Sequence, residues 1–113
     1  MKRFLMTLVL CCLPVWAAAH SALKATQPAD GVALAEPPAN IGLSFAHDIR
    51  LTRVTWTHDA SETGQLDLDG HKSFSDAFEI PFEAPGAGTY VIEWRGLGDD
   101  GHPQKGIFSF TVE

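Results

Sequence analysis

Glycine, proline, aspartate and asparagine punctuate the chain after residue 27 so often that a helix of ten or more residues has no room. The apolar residues between these breaks recur every second position. Ile41, Leu43 and Phe45; Val54 and Trp56; Phe78, Ile80 and Phe82; Tyr90, Ile92 and Trp94; and Phe108, Phe110 and Val112 form the clearest such sets. Leu66 and Leu68 are a further candidate. Pro28-Ala-Asp-Gly31, Glu36-Pro-Pro38, Asp69-Gly70, Ala84-Pro-Gly86 and Gly101-His-Pro103 supply turns between them. The pattern predicts an all-β domain of about seven strands, a small Greek-key antiparallel β-sandwich or barrel. Ile92 and Trp94 should face inward while Glu93 and Arg95 face water, and Trp56 should also join the core.

The first nineteen residues read differently. Lys2 and Arg3 precede an apolar run from Phe4 to Trp16, and Ala17-Ala18-Ala19 offers a small-residue cleavage site, which together predict a secretory signal peptide over 1–19. The apolar run covers thirteen positions and contains Pro14, whereas a membrane span needs roughly 20 apolar residues. Cleavage would leave one domain, 20–113, starting at His20. Cys11, Cys12, Met1 and Met6 all lie in the expected signal, so the mature domain would contain neither a disulfide nor a thioether ligand. Six Lys and Arg against fourteen acids give it a formal charge of −8, which argues against a nucleic-acid partner.

Two sequence features carry possible metal chemistry. An N-terminal His20 would combine a free amine with an imidazole, a ready chelate. Near the other end, GLGDDGHPQKG (Gly96 to Gly106) places Asp100 two residues before His102, so an extended backbone would present both on one face. Alone the D-x-H pattern also fits a turn in which Asp100 caps backbone amides and His102 is solvated. Joined to His20, it offers three nitrogens and one oxygen, a set that suits Cu(II) best, then Ni(II), and Zn(II) if the geometry relaxes toward tetrahedral. Asp99 is expected to stand behind the ligands as an outer acid. His58 with Asp59 and Glu62, and His71 beside Asp69, fall in polar segments that read as solvated loops.

Two blocks, HSALKATQPADGVAL from His20 and GTYVIEWRGLGDDGHPQKGIFSFTV from Gly88, resemble the CopC family of periplasmic copper-resistance proteins, small Greek-key β-sandwiches. The resemblance implies that His20, Asp100 and His102 bind one Cu(II) per chain. Members with a second, Cu(I) site use a Met-rich loop, and Arg53 to Phe78 contains no Met, so a Cu(II)-only protein is expected. Where the family commonly has an acid soon after the Phe of an early strand, Phe45-Ala46 is followed by His47 and then Asp48. His47 is therefore a candidate to support the ligands, to add one, or simply to lie on the surface.

The resulting expectation is a periplasmic protein, monomeric and not an enzyme, that sequesters Cu(II) or carries it to a membrane copper transporter, in the family often of the CopD type. Its affinity should fall below about pH 6, where imidazole takes up a proton. Two alternatives stand beside it. One is a copper-dependent oxidative enzyme with an amine and two imidazoles on the metal, although Asp100 would occupy a position such chemistry prefers open. The other is a metal-free adhesion or sugar-binding sandwich.

Overall fold

The computed structural model describes residues 23–113; the expected signal peptide and His20 lie outside the described residues. Seven strands follow in chain order: β1 (Leu23–Gln27), β2 (Ala33–Leu34), β3 (Asn40–His58), β4 (Glu62–Gln65), β5 (Ser75–Pro81), β6 (Gly88–Gly98) and β7 (Pro103–Val112). They form one curled sheet in the order β1-β3-β6-β7-β2, with β4 and β5 also paired to β3. Every pairing is antiparallel except β2 with β7. The all-β sandwich-like fold read from the alternation is the fold observed.

One long strand organises the molecule. The sequence suggests two strands, one ending at Phe45 and one beginning near Val54, but β3 runs through both for 19 residues. Neither glycine nor proline lies between Phe45 and Val54 to turn the chain, so the polar residues there bend the strand without ending it. Ala46, His47 and Asp48 are exposed in succession between buried Phe45 and Ile49, and the register against β5 shifts between Ser44 and Ile49. Before the bend β3 lies between β1 and β5; beyond it β3 pairs with β6 and β4. The sheet thereby folds over its apolar face.

Ring contacts join the two layers so formed. Phe45 meets Trp94 edge-on at 4.9 Å, and Phe82, just past β5, meets Tyr90 of β6 at 5.6 Å and Phe110 of β7 at 6.4 Å. Among the described residues sixteen apolar or aromatic side chains are buried, Ile92 and Trp94 among them. Each contributes about 1.5–3 kcal/mol on leaving water, the source of cohesion in a domain without disulfides. Glu93 and Arg95 face outward as the alternation requires. Trp56 is half-buried, packed against the core rather than inside it. Leu66 is buried just past β4, its amide donating to the Val54 carbonyl at 2.8 Å. The two-residue β2 gave no signal, because two residues cannot display a period.

The hairpin β6–β7 is the most tightly fitted part. Gly106 lies opposite Trp94, and a Cβ there would stand 2.5 Å from the indole Nε1, which is buried without a hydrogen-bond partner among the described residues. Only glycine leaves room for that indole.

Candidate metal-binding loop

The loop joining β6 to β7 has the geometry of a type I turn closed by a left-handed glycine. The Gly101 amide donates to the Gly98 carbonyl at 2.9 Å, the Gly98 amide donates to the His102 carbonyl at 2.9 Å, and Gly101 has φ +84°. That conformation favours glycine because it lacks Cβ. Pro103 then opens β7 opposite Leu97, a strand-start position at which a missing N–H is tolerated.

The turn makes the two candidate residues meet. Asp100 Oδ1 accepts the His102 backbone amide at 3.0 Å, while Oδ2 lies 2.9 Å from His102 Nδ1. An extended backbone was the expected cause of this meeting; a folded turn is the observed one. The alternative reading, a capping Asp beside a solvated His, also describes part of it, since His102 is 79% exposed and Asp100 61%. A carboxylate can only accept, so Nδ1 carries the proton and donates, which leaves the Nε2 lone pair of the neutral ring directed away from Asp100. This is the carboxylate–imidazole arrangement that fixes a ligand ring and raises its basicity.

The same contact sets the proton affinities. His102 is raised above its ordinary pKa of 6.5, first by its bond to the Asp100 carboxylate and then by that group's charge. Asp100 is lowered, first by the His102 ring and then by the His102 amide. Gly98, a glycine the loop sequence offers for a tight turn, also leaves room for the carboxylate. A Cβ there would lie 2.9 Å from Asp100 Oδ1 and 2.8 Å from Gln104 Nε2.

The other candidates distribute as follows. Asp99 is exposed in the turn and bonds to nothing among the described residues; the loop's hydrogen-bonding carboxylate is Asp100. His47 is exposed in the bend of β3. That bend adjoins two others of interest, because Leu23 at the start of β1 pairs with Phe45 and Gly98 beside the loop pairs with Ile49. Four residues of β3, about 13 Å of extended chain, separate those two pairings. Among the described residues no three His, Cys, Asp or Glu side chains come together as a metal site, so Asp100 and His102 need a donor from elsewhere to hold an ion.

His58 corrects the sequence reading. Its side chain is only 12% exposed, stacked on Tyr90 at 4.5 Å and 11°, not free in a solvated loop. Nδ1 lies 2.9 Å from Glu62 Oε1 and Nε2 lies 2.8 Å from the Ala87 carbonyl. Two acceptors suit a doubly protonated ring, and its pKa is raised, mainly by Glu62 and then by Ala87. His58 is nine residues of β3 from Ile49, roughly 30 Å away along the strand, and so belongs to the opposite end from the loop.

Fold and loop together define a small all-β domain with an oriented imidazole–carboxylate pair exposed at one end. Residues 23–113 match the model of the CopC domain, and the chain belongs to the CopC family, a family of copper-resistance proteins. It is similar to Copper resistance protein C of Escherichia coli, with 31% identity over 109 residues, 86% of this chain and 84% of that protein. Its structure is similar to that of PcoC, a methionine-rich copper resistance protein from Escherichia coli. That match has a TM-score of 0.58 and 29% identity, and covers 84% of this chain and all of that one. CopC from Methylosinus trichosporium OB3b shares the fold, with a TM-score of 0.63 and 22% identity over 83% of this chain and 94% of that one.

Proposed function

We propose that the protein is a periplasmic Cu(II)-binding protein of copper resistance, which sequesters the ion or carries it to a membrane copper transporter such as one of the CopD type. The observation that carries this reading is the β6–β7 loop, where Asp100 holds the His102 ring with Nε2 outward in a domain of the CopC family. Copper is cargo in this account, and no catalytic step is assigned. The donors are the amine and imidazole of His20, the imidazole of His102 and the carboxylate of Asp100, one Cu(II) per chain. Such nitrogen-rich sets rank Cu(II) first among the common divalent ions.

Position along the chain supports the assignment of His20. It precedes Leu23 by only three residues, and Leu23 enters the sheet beside the bend of β3 that also borders the loop. The role requires signal cleavage after Ala19, because only then is the His20 amine free. The proposal gives His47, exposed in that bend, the role of supporting the ligands. PcoC is described as methionine-rich, whereas the two methionines here both precede residue 23, so the proposal includes no Cu(I) thioether site.

Calorimetric titration of Cu(II) into the secreted protein and its His102→Ala variant tests the proposal. Tight 1:1 binding that is lost or greatly weakened in the variant supports it; absence of tight binding by the wild type, or equal binding by the two, refutes it.

A further inference from the structure

The outer face of β3, β6 and β7 carries a concentration of positive charge that the copper reading does not use. Arg53 pairs with Arg95, and Arg95 pairs with Lys105, so three cations stand side by side across three strands. All three are exposed, and none forms an ion pair or side-chain hydrogen bond among the described residues. The next row toward the metal-binding loop consists of Arg50, Leu97 and Pro103. Two adjacent rows thus hold four of the six Lys and Arg in residues 23–113, and no acid, on a chain with fourteen acids. Glu93, with Thr55 and Ile107, forms the row on the far side, and Asp99 and Asp100 lie beyond the near one.

Like charges directly opposite one another weaken a sheet, so this row costs stability in isolation. An anionic surface laid across it would reverse the sign of that interaction. We infer that this basic face docks an acidic polypeptide segment of a partner protein, oriented so that the partner also meets the metal-binding loop. Arg95 and Lys105 are each three residues from the hairpin positions Gly98 and His102, about 10 Å along their strands. The row itself spans about 10 Å, two interstrand spacings, so one phosphate could bridge neighbouring cations but not the set. Several carboxylates on one chain could satisfy all of it. Because the rest of the protein is acidic, such a partner would be repelled elsewhere and steered to this face.

The test uses copper-free secreted protein, so its failure leaves the copper proposal standing. A deca-glutamate peptide is titrated at low salt while backbone amide resonances are followed by NMR. Two double variants of equal net charge are compared, Arg53→Gln/Arg95→Gln and Lys24→Gln/Lys72→Gln. The expected result is saturable, salt-sensitive binding with the largest shifts at Arg53, Arg95 and Lys105, weakened about tenfold by the first pair only. Should the first pair fail to fold, Lys105→Glu at its exposed position must produce the same weakening. Absence of saturable binding, equal weakening by both pairs, or the same shifts at the same affinity with inorganic phosphate alone would overturn the inference.

Discussion

Replacing Asp100 by Asn tests how the loop prepares His102 for metal. The side chain keeps its shape and can still accept the His102 amide through Oδ1, the bond that measures 3.0 Å in the native loop. What changes is the atom facing Nδ1, now an amide NH₂ that donates where the carboxylate Oδ2 accepted at 2.9 Å. To keep that contact the neutral imidazole must move its proton to Nε2, the nitrogen proposed to take the metal. Loss of such a carboxylate partner typically costs 10–100-fold in metal affinity, so a loss of at least about that size is expected at pH 7.5, because Asp100 is also a proposed donor. The proton balance partly opposes this, because Asp100 raises the His102 pKa and the variant releases it toward 6.5. Proton competition therefore weighs more on the wild type, and the gap in affinity should narrow as pH falls from 7.5 to 6. Competition against a Cu(II) chelator at both values measures the gap, and NMR titration of the His102 ring protons measures the pKa. Affinities within twofold of each other, with an unchanged His102 pKa, would refute the idea that this contact shapes the site.

Three further predictions concern two glycines and His58. Gly98→Ala places a Cβ 2.9 Å from Asp100 Oδ1, so Cu(II) affinity should fall while the melting temperature changes little, as calorimetry and thermal unfolding together would show. Gly106→Ala drives a methyl to 2.5 Å from the wholly buried Trp94 indole. Such overpacking costs about 1–3 kcal/mol, or roughly 5–15 °C in melting temperature for a domain of this size, and adding Trp94→Phe should recover part of it. His58 has a raised folded pKa, so the stability it supplies is complete below pH 6.5 and is lost as pH rises through that folded value. Urea unfolding of copper-free His58→Gln should accordingly differ most from wild type at acidic pH, the difference narrowing as pH rises; a constant difference would contradict the assignment.

How far the sequence reaches depends on which interactions are periodic. Ile41, Leu43, Phe78, Ile80, Ile92 and Trp94 were identifiable as core because alternation in a strand directly reports facing, and all are buried. The continuity of β3 was not, since Ala46-His47-Asp48 looks like a polar break and only the pairing of Phe45 with Leu23 and of Ile49 with Gly98 reveals a bend. Asp100 and His102 were identifiable by type and spacing, and the structure joins them, though through a turn rather than an extended strand. Gly98 was legible as a turn glycine but not as the space beside the Asp100 carboxylate, which no composition or period records. His58 was misread because nothing in His-Asp-Ala-Ser-Glu shows that Tyr90, thirty-two residues on, will lie beneath the ring.

The central claim is that a free N-terminal His20 completes the site begun by Asp100 and His102. It is tested most directly by titrating Cu(II) into two purified proteins, one processed to begin at His20 and one bearing a single extra alanine ahead of it. Tight 1:1 binding by the first and a large loss in the second are expected, because the added peptide bond removes the amine donor. Equal binding by both would contradict it and turn attention to His47 as the missing donor.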